Sequence, residues 1–262
     1  MSIITLSKAE CKDCHRCVRN CSVKAIGINK GQAKVVTEKC IYCGECVITC
    51  PQDAKGIKDD SLLELKKILK DEQVVASIAP SFVAAMDYEP GRFITALKKL
   101  GFKAVEPTAR GAEIVAQKYK ELLLNRDKPL ISACCPSIVN LIEKYYPKLI
   151  DYLSPTISPM ITHGKLLKEK YPDSKVVFIG PCTGKIDESR WLSSEQVIDL
   201  AITFNQLQDL LVNQKWSSND LTIQRFDEFT SSWASSFPIE NGVLKATNLN
   251  SDLGVNFLSV SG

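Results

Sequence analysis

Eight cysteines constrain this chain more than any other feature. Cys11, Cys14, Cys17 and Cys21 stand at C-x2-C-x2-C-x3-C spacing, and the pattern returns at Cys40, Cys43, Cys46 and Cys50, the last followed by Pro51. Three thiolates so spaced lie on one tight loop and can hold three corners of a cubic [4Fe-4S] cluster. The fourth is carried off by the helix that starts there and reaches the other cluster. The spacing therefore assigns Cys11, Cys14, Cys17 and Cys50 to one cluster, and Cys40, Cys43, Cys46 and Cys21 to a second. One such run is also compatible with zinc; two in tandem favour iron. The first run ends Cys21-Ser22 where Cys-Pro is usual, which alters only the turn after the ligand. His15, inside the first loop, reads as a packed neighbour, because four cysteines already serve.

The remaining composition narrows the class. A chain of 262 residues can bury a real core in one or two domains. Its 33 basic and 30 acidic residues leave a net charge of +3. That balance gives no reason to expect nucleic acid or a membrane surface as partner. No apolar run approaches the ~20 residues of a membrane span. Met1-Ser2-Ile3-Ile4-Thr5-Leu6 lacks the basic and apolar regions of an export signal. Thiols that ligate iron must stay reduced, so the expected compartment is the cytoplasm.

Residues 1–58 read as an α+β, ferredoxin-like 2[4Fe-4S] module built from an internal repeat. Helical turns are expected over Val18–Lys24 and Val47–Gln52, with a hairpin of Ala25–Ile28 and Ala33–Thr37 about Asn29-Lys30-Gly31. Lys55–Asp60 reads as a linker, followed by an amphipathic helix over Ser61–Asp71. Residues 59–262 read as an α/β domain with a mostly parallel sheet. Strands are expected at Val74–Ile78, Lys103–Glu106, Leu130–Ser132, Lys175–Ile179 and Val197–Ile202. Helices are expected at Gly91–Leu100, closed by Gly101, at Glu113–Leu124, at Ser137–Tyr146 and from Thr203, where Thr203 and Gln206 form a capping pair. Ser231–Ser236 reads as a loop, and Thr247–Gly262 shows no clear element. His163 falls on a helix, where a structural role is the plainer reading.

Three of these strands end alike, in a Pro-containing loop that passes into a helix: Ala79-Pro80-Ser81, Cys134-Cys135-Pro136 and Gly180-Pro181-Cys182. Loops at the carboxyl ends of parallel strands line one crevice. Cys134, Cys135 and Cys182 are therefore expected at one pocket, their thiolates favoured by helix N-termini. The plainer alternative is buried core cysteines.

Ile131-Ser132-Ala133-Cys134-Cys135-Pro136 is similar to the first signature of the [FeFe]-hydrogenases, and Gly180-Pro181-Cys182-Thr183-Gly184-Lys185-Ile186-Asp187-Glu188 resembles the second. Ala79, Pro80, Ser81 and Pro181 resemble the wall around that family's diiron site. Segments 107–113 and 156–163 resemble the branch whose members often carry sensory domains. The resemblance implies an H-cluster, a [4Fe-4S] cube bridged to a diiron unit. Cys135 and Cys182 would be cube ligands, Cys134 would pass protons, Lys185 would donate to a cyanide, and Glu113 and Ser154 would belong to a proton path. It implies reversible proton reduction and hydrogen oxidation, an external electron carrier such as ferredoxin, and hydrogenase maturation proteins as partners.

The departures are as specific. The family's third signature, a CxxxC pair supplying the remaining cube ligands, has no counterpart after Cys182. Asn241-Gly242-Val243-Leu244-Lys245 resembles a turn of the family with its first Gly replaced. Gly180, Arg110 and Ile138 replace a Met, an acidic residue and a Trp that catalytic members often have. The expectation is a C-terminally truncated, inactive piece of a hydrogenase, in which an H-cluster forms only if a longer chain supplies the missing cysteines. The alternatives are a hydrogen-sensing regulator with little turnover, and a hydrogenase-like iron-sulfur assembly or electron-transfer protein without the diiron unit.

Overall fold

A computed structural model of the chain describes residues 3–7, 9–57, 60–125, 128–191, 197–214, 216–239 and 241–247. The first unit runs β1 (Ile4–Leu6), α1 (Arg16–Asn20), β2 (Ile26–Asn29), β3 (Gln32–Val35), α2 (Glu45–Ile48) and β4 (Lys55–Ile57). The hairpin β2–β3 turns where the sequence places Asn29-Lys30-Gly31, with Lys30 and Gly31 both at positive φ. The linker expected at Lys55–Asp60 is corrected. Lys55–Ile57 is a strand, paired antiparallel with Ile4–Leu6, which ties the two ends of the unit together. The helical turns begin earlier than the sequence suggests, because each starts inside its cysteine run and carries the third cysteine, Cys17 or Cys46.

The larger unit runs α3 (Asp60–Asp71), β5 (Val74–Ile78), α4 (Phe82–Ala85), α5 (Pro90–Leu100), β6 (Phe102–Pro107), α6 (Ala109–Leu124), α7 (Pro136–Tyr145), α8 (Pro159–Lys170), β7 (Lys175–Gly180), α9 (Thr183–Trp191), β8 (Leu200–Thr203), α10 (Phe204–Val212) and α11 (Gly242–Thr247). Val74–Ile78 is buried at every position, as expected of a β-branched run covered on both faces. Helix α5 has Pro90 in its first turn, the Glu89 carboxylate accepting from the Gly91 and Arg92 amides, and Gly101 at φ 112° closing it. Thr203 and Gln206 form a reciprocal capping box on α10. Ser232–Ser236 is a short 3-10 turn rather than a loop. The tail 248–262 lies outside the described residues.

The four-stranded sheet is parallel throughout, in the order β6-β5-β7-β8. Strand order reverses at β5, with β6 on one side and β7 on the other, so the crevice of this sheet opens at the carboxyl ends of β5 and β7. One expected strand is absent from it. Around Leu130–Ser132 a single bridge joins Ile131 to Leu153, and Cys134 therefore arrives on a loop pinned beside the sheet.

A polar cluster is buried against β5 and β6. Ser77 Oγ bridges Thr108 Oγ1 and His163 Nδ1, both at 2.8 Å. Glu106, 2% exposed, accepts from Tyr171 (2.8 Å) and pairs with Lys170 (2.9 Å), while His163 Nε2 stands 3.7 Å away, too far for a hydrogen bond. Burial raises the Glu106 carboxyl, but its cationic and hydroxyl partners prevail and hold it at about 2. Burial pushes His163 down, toward the neutral ring. A carboxyl lowered on folding stabilises fully above its unfolded pKa and loses that contribution as pH falls from there through about 2. On the order of 3 kcal/mol is at stake for such a shift. Acid titration of the unfolding midpoint should show a steep loss below the carboxylate range, and Glu106→Gln should flatten it; an unchanged acid limb contradicts this role.

Candidate metal centres

The fold sorts the eight N-terminal cysteines into two groups. Cys11, Cys14, Cys17 and Cys50 line one cavity of about 300 Å³ that is partly open to solvent. Cys21, Cys40, Cys43 and Cys46 line another of about 360 Å³. Each cavity thus takes three thiols from one run and the fourth from the other. The two loops are copies in backbone conformation as well as spacing. Asp13 and Tyr42 (φ 51° and 55°), His15 and Gly44 (59° and 82°), and Lys24 and Asp53 (52° and 47°) occupy matching left-handed positions. The first two pairs lie within C-x2-C-x2-C and bend it around a centre, and the third follows the fourth cysteine of each run. His15 stands where its copy has Gly44, and its ring lies 2.7 Å from Asp13 at the surface.

The donor set suits iron-sulfur cubes. The thiols surround spaces instead of meeting at a point, and no three His, Cys, Asp or Glu among the described residues converge as a single ion would require. Burial pushes the Cys46 thiol up to about 12 and raises Cys17 and Cys40, so a bound cation such as iron is what would hold them as thiolates at neutral pH.

The second group is docked on the larger unit. Thr183 Oγ1 donates to the Tyr42 carbonyl (2.7 Å), Lys144 Nζ to the Cys40 carbonyl (2.6 Å), and Tyr145 to the Lys39 carbonyl (2.7 Å). The helices that supply these donors begin at the crevice: Cys135 is the N-cap of α7, and Cys182 precedes α9. Their starts touch. A Cβ at Gly184 would lie 3.5 Å from Cys182 Sγ, 3.5 Å from Pro136 Cβ and 3.1 Å from Ser137 Oγ. Ala79-Pro80-Ser81 adjoins Pro181, since the Ala79 amide donates to Ile179 and Gly180 lies against Ala79. The structure therefore brings Cys134, Cys135, Cys182 and the Ala79–Ser81 loop to one crevice. Ser81 Oγ in this loop is buried, with no hydrogen-bond partner among the described residues. The crevice presents two thiols at adjoining helix starts, Cys135 and Cys182.

Burial raises the Cys134 and Cys182 thiols; Ser132, Lys185 and Tyr119 moderate it at Cys134, and the Lys185 and Gly184 amides at the start of α9 moderate it at Cys182. Lys185 is not a solvated surface lysine. It pairs with Glu188 (2.6 Å) and donates to the Cys134 carbonyl (3.0 Å). Glu113 accepts from the Ser231 amide (2.6 Å) and pairs with Arg110 (2.6 Å), and no hydrogen bond among the described residues joins it to Ser154. Ser154 bonds Thr156 (2.7 Å). Sequence reading missed Tyr119, whose hydroxyl accepts from the Ala133 amide (2.9 Å) and reaches Cys134 Sγ at 3.7 Å. On a helix, a tyrosine at core spacing gives no sign of such a partner.

Residues 72–255 match the family described as iron-only hydrogenase large subunit, C-terminal domain, and residues 10–54 match the 4Fe-4S dicluster domain. The NADP-reducing hydrogenase subunit of Solidesulfovibrio fructosivorans is 26% identical, over 90% of this chain and 49% of that protein. Iron hydrogenase 1 of Clostridium pasteurianum is 28% identical, over 81% and 44%. A cytosolic Fe-S cluster assembly factor of Yarrowia lipolytica is 25% identical, over 72% and 46%. The chain thus spans about half the length of the curated relatives it matches. A solved [FeFe]-hydrogenase of Chlamydomonas reinhardtii shares the fold, with a TM-score of 0.61 at 22% identity, over 77% of this chain and 60% of that one. No helix among the described residues is long and apolar enough to cross a membrane.

Proposed function

This chain belongs to the family of iron-only hydrogenase large subunits, and we propose that it serves there as an electron relay feeding a hydrogen-converting crevice. Residues 1–58 would hold two [4Fe-4S] clusters, and residues 59–262 would carry part of the catalytic domain. The observation behind this reading is the sorting of eight thiols into two cavities, one of which is clamped to α7 and α9. Electrons from an external carrier would enter at the cluster of Cys11, Cys14, Cys17 and Cys50, since it is the other group that is clamped to the helices of the crevice. They would pass to the cluster of Cys21, Cys40, Cys43 and Cys46, and leave by way of Thr183 toward Cys182.

At the crevice, Cys135 and Cys182 would hold two corners of a cube. A diiron group attached to such a cube supplies the chemistry of joining protons and electrons. Cys134, held by Tyr119 and by the Lys185–Cys134 contact, would move a proton at its Sγ. Lys185 would keep a cation beside the group, and Ala79, Pro80, Ser81 and Pro181 would wall it. Glu113 and Ser154 would lie on the proton's way in. Maturation proteins would be required for the diiron group.

A second reading is an iron-sulfur assembly or electron-transfer role without the diiron group, favoured by the two-thiol crevice and by the assembly-factor relative. Anaerobic reconstitution tests the shared claim. About eight iron per chain are expected, all reducible by a reduced ferredoxin, and a chain that takes up iron but accepts no electrons would contradict the relay.

A further inference from the structure

Lys55 opens strand β4, next to the buried Ala54, and is itself only 4% exposed. A lysine at an interior strand position is costly unless its charge is matched. Its ammonium has three donors. Among the described residues its one hydrogen bond is to the Ala33 carbonyl at 3.2 Å, and no carboxylate pairs with it. It lines the first thiol cavity. Its hydrogen-bond partner Ala33 packs in one cluster with Cys11 and Cys17 of the first group and Cys21 and Cys46 of the second. The cation therefore sits inside the unit beside both ligand sets, and Asp13, the acidic residue that shares its cavity, is taken up by the His15 ring.

We propose that Lys55 is a shared counter-charge for the two N-terminal clusters, a positioning residue that raises the reduction potential of both. This rests on the reading that each thiol set holds a [4Fe-4S] cube. A cube with four thiolates is anionic and gains one more negative charge when it takes an electron. A buried cation close to both favours the reduced form of each and lessens the repulsion between two reduced cubes. The step is a one-electron reduction by the external carrier, and no proton or bond change accompanies it at Lys55. The charge offsets its own burial in the same interaction, which explains why a lysine is tolerated where the neighbouring Ala54 and Ala33 are apolar.

The test is an EPR-monitored redox titration of the whole reconstituted chain against Lys55→Met and Lys55→Arg. With both clusters present in Lys55→Met, both midpoints should move down. At the native midpoint the reduced-to-oxidised ratio should then fall roughly tenfold, which is about 59 mV for a one-electron couple. Lys55→Arg should stay near the native values. Unchanged midpoints, or a shift confined to one cluster, would overturn the proposal while leaving the cluster reading intact. If Lys55→Met loses iron, Lys55→Gln and Lys55→Arg decide. Loss in both neutral variants with retention in Arg supports a required charge, and loss in all three makes the position one of shape and overturns it. A native chain without iron would fail the cluster reading itself.

Discussion

The 262-residue chain, matured with hydrogenase assembly proteins and supplied with a reduced carrier, should evolve no hydrogen above background. A cube requires four strong ligands. Beyond the two N-terminal groups the sequence has three cysteines, Cys134, Cys135 and Cys182. Cys134 adjoins Cys135, and adjacent side chains do not readily take two corners of one cube. The structure also gives the Cys134 thiol to Tyr119, leaving Cys135 and Cys182 for the cube. With two corners left to water or buffer thiols, a cluster in the crevice should be labile and lack the thiolate that bridges to a diiron unit. Turnover comparable to a complete hydrogenase would refute this. Activity that appears only when a segment with a CxxxC pair is supplied would support the ligand count, and its absence even then would favour the assembly or sensory readings.

Paired cysteine substitutions should lose iron in a pattern that runs against sequence proximity. Cys11 and Cys50 line the same cavity although 39 positions separate them, whereas Cys11 and Cys21 line different ones. Cys11→Ser with Cys50→Ser should therefore disable one cluster and leave about four iron per chain. Cys11→Ser with Cys21→Ser should disable both and leave almost none. If each run served its own cluster, the two results would be exchanged. The neighbouring Cys46 and Cys50 extend the test, since they too face different cavities. Iron loss should be the primary effect, because these thiols lie at cavity walls, while the larger unit has its own core around β5, β7 and β8.

Much of this site was legible because its chemistry is local. Cysteine spacing fixes which thiols share a loop, and the left-handed turns at Asp13 and Tyr42 follow from the same repeat. Val74–Ile78, Gly101 and the Thr203–Gln206 box act within a few residues, and the structure has each in place. What escaped depends on distant partners. Lys55-Gly56-Ile57 has the composition of a linker and becomes a strand only through pairing with Ile4–Leu6. Leu130–Ser132 has strand-like residues, but its pairing among the described residues is the single bridge from Ile131 to Leu153, outside the four-stranded sheet. Burial raises the thiols of Cys134 and Cys182, and burial cannot be read from a motif. The partners of Glu113, Ser231 and Arg110, are likewise supplied by the fold, Ser231 from far along the chain.

The central claim is that two cubes, cross-wired between two cysteine runs, form the electron-carrying end of this chain. Reduction of the anaerobically reconstituted chain, followed by EPR with iron and sulfide counted on the same sample, tests it most directly. The account predicts about eight iron and eight sulfide per chain, and the signals of two reduced cubes close enough to interact magnetically. A stable zinc-bound chain that takes up no iron, or a single isolated cluster signal at full iron occupancy, would contradict it.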